Sequence, residues 1–151
     1  MSDNVLSVIP TDPRWQPGQA EAEHARDLTA RLTPERADQI EVMWHEAISV
    51  IDCGDNLQTI ACPHCGGDID TEWWADLLEE RCEEGFDDLS AVVPCCDRRT
   101  DLNSLNYDWQ CGFARFEIAI WNPQRDWFTD PEAAMIAEAL GHPIRQVMAH
   151  V

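Results

Sequence analysis

The residues able to do chemistry in this chain are its cysteines, at positions 53, 62, 65, 82, 95, 96 and 111. Cys62-Pro63-His64-Cys65-Gly66-Gly67 sets two thiols two residues apart, in a stretch whose proline and glycines favour a tight turn. Pro94-Cys95-Cys96 supplies a second pair about 30 residues later. Two cysteine pairs separated by a loop is the pattern with which a structural zinc ion gathers sulfur ligands. The spacing therefore predicts Zn2+ held by Cys62, Cys65, Cys95 and Cys96. Cys53, Cys82 and Cys111 read as ordinary small core or turn residues.

Cys95 and Cys96 are adjacent, and in a regular strand adjacent side chains point to opposite faces. Both reach one ion only if the backbone turns sharply between them. His64, Asp97 and Cys111 stand as alternatives for the fourth ligand. Cys-Pro-His-Cys-Gly resembles the knuckles of rubredoxin-like and zinc-ribbon proteins, over residues 62–67 and, loosely, 94–96. That resemblance implies backbone N–H groups aimed at the sulfurs, holding them as thiolates. It also implies two turns facing each other around a tetrahedral sulfur site, with metal–sulfur distances of about 2.3 Å.

The same residues also look like the redox motif of oxidising thioredoxin-fold enzymes, with Val93-Pro94 in the place of their cis-proline loop. That resemblance implies a first cysteine at a helix N-terminus, whose dipole lowers its pKa. Gly66-Gly67-Asp68 are poor helix residues and argue against it. A thiol-disulfide oxidoreductase using Cys62 and Cys65 is the second reading; a zinc-dependent enzyme or a nucleic-acid-binding ribbon is the third. A catalytic zinc needs an open position, which four cysteines do not leave. HExxH, GxSxG and glycine-rich phosphate-loop motifs are absent from the sequence, so no catalytic residue is assigned.

Composition narrows the class. The chain has 151 residues, a formal net charge of −19 and ten cationic side chains, all arginine. Without lysine there is no Schiff base, no pyridoxal-phosphate anchor and no P-loop lysine. Phosphate backbones are repelled overall, so nucleic acid is disfavoured and a basic protein partner is favoured. An acidic interaction module, immunity-like or adaptor-like, fits the size and charge. Arg98-Arg99, the one basic doublet, is expected to pair with Asp97 or Asp101. Residues 1–10 lack a basic region followed by a long apolar run, and no stretch approaches the 18 or so apolar residues of a membrane span. The expected setting is a reducing cytoplasm, where thiols bind metal rather than form disulfides.

The elements that must position the cysteines follow from periodicity. Strands are expected at 5–9, 40–51, 89–93, 113–121 and 144–151. Along 40–51, Ile40, Val42, Trp44, Ile48 and Val50 share one face, and Glu41, His45 and Ser49 the other, which is exposed. Residues 57–61 are expected to return as the hairpin partner of that strand and deliver Cys62. Helices are expected at 19–32, from Asp70 or Thr71 to Glu84, and from an Asp130 N-cap to a stop at Gly141. Thr33-Pro34-Glu35 suggests a further short helical turn, and 97–112 reads as loop. Each end of the chain thus forms a strand–loop–helix–strand unit with a tryptophan (Trp15, Trp127) in its loop. The expectation is a single α+β domain, 1–151, whose two end units share one sheet, with a zinc-stabilised insertion at 62–112.

Overall fold

The computed structural model of the chain describes residues 4–33, 39–51, 58–109 and 111–150. In chain order the elements are β1 (Asn4–Pro10), α1 (Gln19–Leu32), β2 (Gln39–Ile51), β3 (Ile60–Ala61), β4 (Asp68–Ile69), α2 (Thr71–Cys82), β5 (Ser90–Val92) and β6 (Arg99–Asp101). A 3-10 turn (Leu102–Ser104), β7 (Asn106–Tyr107), β8 (Gly112–Trp121), α3 (Asp130–Leu140) and β9 (Ile144–His150) complete it. Pro34, Glu35 and Cys53 lie outside the described residues.

The fold is α+β, and the two end units share one antiparallel sheet of order β2-β8-β1-β9. The strands of the two units interleave, which is a split β-α-β-β-α-β arrangement. Both crossing helices lie on one face and pack against each other. β8 alternates as its sequence requires: Phe116, Ile118 and Ile120 are fully buried and meet Leu6 and Val8 of β1, Ala22 and Ala25 of α1, and Ile136 and Leu140 of α3. At one end of the opposite face, Ile9, Phe113 and Val147 join a second core with Ile60, Ile69, Trp74, Phe86, Leu89, Leu102 and Leu105. The segment between β2 and β8 is therefore seated on the sheet by apolar burial.

The helix ends follow local chemistry. Thr33 sits at the C-cap of α1, where its hydroxyl donates to the Thr29 carbonyl at 2.8 Å. α3 starts one residue earlier than expected, with Thr129 rather than Asp130 as its N-cap. That register puts Glu132 at the third helical position. Its carboxylate accepts from the Thr129 N–H at 2.9 Å while the Thr129 hydroxyl accepts from the Glu132 N–H at 3.3 Å, a reciprocal capping box. Glu132 also receives the Arg125 guanidinium, whose Nη1 lies 3.1 Å from Oε2. Gly141 stops the helix at φ 87°.

Three expectations fail for identifiable reasons. β2 does not keep one apolar face. Trp44 pairs with Phe116 and Ser49 with Ala114, so β2 spends five residue steps where β8 spends two. This bulge resets the alternation: Ile40 and Val42 pack towards the helices, Ile48 is buried in the opposite core, and Trp44 is 44% exposed. It also turns His45 partly inward, to 3.4 Å from Glu117, instead of leaving it on an exposed face. Side chains complete the bulge's backbone bonding: Gln16 donates to the His45 carbonyl at 3.1 Å and Arg115 to that of Glu46 at 3.1 Å. Second, β3 pairs with β4 and β7 rather than β2, because the turn at Cys62 folds β3 directly onto β4. Third, 97–112 is not simply loop: β6, the 3-10 turn and β7 lie within it.

The capping box yields a pH-dependent prediction. The Arg125 guanidinium and the Thr129 N–H hold the Glu132 carboxyl well below its ordinary value of 4.5, at about 2. A depressed carboxyl stabilises the fold above its unfolded pKa and loses that contribution as pH falls towards its folded value. Glu132→Gln should therefore be less stable than the parent near pH 7. The gap should close between about pH 4.5 and about pH 2, read as paired denaturation midpoints across pH.

Candidate metal centre

The first cysteine turn is a closed hairpin. The Cys62 N–H donates to the Gly67 carbonyl at 2.9 Å, and the Gly66 N–H donates back to the Cys62 carbonyl at 3.0 Å. Gly66 takes φ 72°, the left-handed conformation that a residue without Cβ adopts freely. The turn aims two further N–H groups at sulfur: His64 N–H at Cys62 Sγ, 3.3 Å, and Gly67 N–H at Cys65 Sγ, 3.4 Å.

The second turn has the same backbone. The Val93 N–H donates to the Arg98 carbonyl at 3.0 Å, and the Asp97 N–H to the Val93 carbonyl at 3.0 Å. Asp97 sits at φ 58° where the first turn has Gly66. Superposing the two patterns matches Val93 with Cys62, Pro94 with Pro63, Cys95 with His64, and Cys96 with Cys65. The match continues into the following caps. Asp70 accepts from the Glu72 N–H at 2.9 Å to start α2, and Asp101 accepts from the Asn103 N–H at 2.8 Å to start the 3-10 turn. The next matched pair, Trp74 and Leu105, is buried in both copies. Here the adjacency of Cys95 and Cys96 is resolved. They occupy a tight turn rather than a strand, so both side chains can face one point.

The four Sγ atoms of Cys62, Cys65, Cys95 and Cys96 lie within 4.8 Å of one another and can hold a metal ion. Cys62 and Cys96 approach to 3.8 Å, Cys65 and Cys95 to 3.4 Å. A tetrahedral ion with metal–sulfur bonds of about 2.3 Å sets its sulfurs about 3.8 Å apart, so the cluster has the right size. His64, Asp97 and Cys111 are not in this group. Cys111 is fully buried in the core beside the Tyr107 hydroxyl, and Asp97 shapes the second turn. Cys82 is exposed at the end of α2.

The electrostatics are those of a site that wants a cation. The Cys65 N–H, aided by that of His64, pulls the Cys62 thiol down to about 6 against the desolvation that opposes it. Desolvation and the neighbouring sulfurs of Cys65 and Cys62 push Cys95 up to about 12. At Cys96 the Arg98 N–H pulls downward, but desolvation and the Cys62 and Cys65 sulfurs outweigh it and the thiol is raised. Crowded thiols resist ionising together, and a bound metal ion reverses that by supplying the compensating charge.

The helix placement and cis-proline that the redox resemblance implies are absent, in line with the poor helix residues after Cys65, and the expected ion pairs of Arg98 and Arg99 do not form among the described residues. Cys62 and Cys65 precede β4, and α2 begins only at Thr71, so neither cysteine opens a helix. The Val93-Pro94 bond is trans. Arg98 and Arg99 form no ion pair with Asp97 or Asp101 among the described residues; Asp101 is committed to its cap.

The matched turns differ at the left-handed position, which makes a paired test. A Cβ on Gly66 would meet nothing within 4 Å, so Gly66→Ala isolates the backbone cost. It should destabilise the metal-loaded protein by about 1–2 kcal/mol. Asp97→Gly should move stability the opposite way, by up to about 1 kcal/mol. Denaturant midpoints of the two variants against the parent check both signs.

No protein-family model, curated protein or solved structure matches the chain.

Proposed function

We propose that this protein is a zinc-binding, acidic protein-interaction module without catalytic activity: one domain, 1–151, carrying a zinc-stabilised insertion at 62–112. Cys62, Cys65, Cys95 and Cys96 are its zinc ligands. The observation that carries the reading is the convergence of four sulfurs within 4.8 Å from two turns of the same backbone design. The strands flanking those turns are only two or three residues long, too short to hold the segment by their own ladders. A structural ion supplies the missing folding free energy. With four protein ligands there is no open coordination position for a substrate.

Charge supports the partner class. The net charge is −19, and α2 presents Glu72, Asp76, Glu79 and Glu80 at the surface, followed by Glu83. Such a surface steers a basic protein and repels nucleic acid, consistent with an immunity-like or adaptor-like role in a reducing cytoplasm. Among the described residues no helix is long and apolar enough to cross a membrane. The second reading, a thiol-disulfide oxidoreductase using Cys62 and Cys65, draws on the lowered pKa of Cys62. The Cys65 and His64 N–H groups that lower it serve a metal-bound thiolate equally well.

Metal content separates the two readings. Protein purified under reducing conditions should carry one tightly held zinc per chain, lost on chelation together with the tertiary circular-dichroism signal. Cys62→Ser should cost on the order of 4 kcal/mol, a fall in Tm of about 8–16 °C. A metal-free protein with a fast-alkylating Cys62 and an unchanged Tm in the variant would instead favour the oxidoreductase.

A further inference from the structure

The four sulfurs are not equivalent. Cys62 is buried, at 1% exposure, and Cys96 is half-buried, whereas Cys65 and Cys95 are both exposed. The asymmetry comes from the mismatch between the two turns. The first turn places a cysteine at its buried opening position, Cys62. The second has Val93 there, 0% exposed, and supplies its extra sulfur from the outward third position, Cys95. The two exposed sulfurs lie 3.4 Å apart across the two turns, and those of buried Cys62 and half-buried Cys96 lie 3.8 Å apart. Gly67 lies beside them: a Cβ there would sit 3.3 Å from Cys65 Sγ and 3.6 Å from the Cys95 Cβ, so its lack of a side chain leaves this side open.

We infer that the centre is a redox-releasable one, in which a hydroperoxide oxidises the exposed pair to a Cys65–Cys95 disulfide and thereby discharges the metal. This rests on the four cysteines being metal ligands. One of the two thiolates attacks the peroxide, the O–O bond breaks, and a sulfenic acid forms with release of alkoxide or hydroxide, which takes a proton from solvent. The other thiolate attacks that sulfur and displaces hydroxide, which is also protonated. Two electrons pass from the two sulfurs to the peroxide, one S–S bond forms and two metal–sulfur bonds are lost. The sulfurs need to close from 3.4 Å to the disulfide length of about 2.05 Å, a local movement of two turn side chains. Cys62 and Cys96 alone are too few to retain the ion tightly, so it leaves to solvent or a chelator. The new bond joins the two turns that the metal had joined, so the insertion keeps its closure. A dithiol reductant restores both thiolates and the capacity to rebind metal.

The test uses the full chain, zinc-loaded, with Cys53 and Cys82 replaced by serine, which leaves fully buried Cys111 as the one thiol outside the centre. Loading is measured first: no zinc on the reduced protein overturns the metal-centre reading itself, and this inference with it. On loaded protein, hydrogen peroxide should release one zinc per chain to a chromogenic chelator, with loss of two hydrogens in intact mass. Peptide mapping should find a Cys65–Cys95 link, and dithiothreitol plus zinc should return the starting species. Zinc retained at peroxide doses that oxidise a free thiol peptide, or a disulfide mapped to Cys62–Cys65 or Cys95–Cys96, would overturn the inference and leave the metal centre standing. As a second readout, Val93→Cys with Cys95→Ala moves the exposed sulfur to the buried position. That variant should still load zinc but release it at least tenfold more slowly to the same peroxide; an unchanged rate would overturn the exposure argument.

Discussion

Four sulfurs drawn from two turns occupy a space in which each lies within 4.8 Å of the others. Without a cation this arrangement is self-opposed: backbone N–H groups draw Cys62 down to about 6, while desolvation, and after it the neighbouring sulfurs, push Cys95 up to about 12. Something must hold the turns together before a metal can. Part of it is local: each turn closes on itself with two backbone hydrogen bonds, and N–H groups are aimed at sulfur, those of His64 and Gly67 in the first turn and that of Arg98 in the second. The rest is apolar. Trp74 and Leu105, matched positions after the two turns, are buried in one cluster with Ile9, Phe113 and Val147 of the large sheet. The candidate centre therefore rests on the sheet as a floor, flanked by strands of only two or three residues.

The sheet can accept so long an interruption because of where it enters. β2 and β8 are antiparallel neighbours, and the last residue of one pairs with the first of the other, Ile51 with Gly112. A chain that leaves and returns at a paired position adds loop-closure entropy only slowly with its length. Gly112 is part of this junction: a Cβ there would come within 2.7 Å of the Ile9 side chain. The helices lie on the other face, so the helix-covered core and the insertion do not compete for space. The three-residue bulge in β2 falls between these two regions, where the strand changes the core it serves.

Much of the fold was legible from periodicity. α1 runs over the expected residues 19–32, β8 alternates as expected, and Gly85 and Gly141 follow α2 and α3 in left-handed conformations that suit glycine. The misses share a physical cause. Whether Ile48 faces the helices or the insertion depends on a bulge whose carbonyls are bound by Gln16 and Arg115, residues distant in sequence. β3 as a partner of β2 was the economical hairpin reading, but the turn at Cys62 commits β3 to β4 first. The shift of the α3 cap from Asp130 to Thr129 rests on a glutamate being able to reach back, a local signal present in Thr129-Asp130-Pro131-Glu132 and outweighed by the proline. The repeat of the two turns was also readable: Pro63, Cys65 and Asp70 recur at the same offset as Pro94, Cys96 and Asp101. It is obscured because the first cysteine of the pattern becomes Val93 and the histidine becomes Cys95.

By themselves, the amino acids determined the chemical type of the site. Soft sulfur ligands at turn spacing, no lysine, and a heavily acidic surface set what the chain can bind and which reactions it lacks the groups for. They also determined the local elements, because helix caps, glycine stops and strand alternation are short-range physics. Only the tertiary structure decided how adjacent Cys95 and Cys96 can face one point. The turn that allows it depends on Asp97 adopting φ 58° and on Val93 being buried, and neither can be read from residue type. It also decided which sulfurs face solvent, since exposure is a property of how two turns oppose each other over the core beneath them.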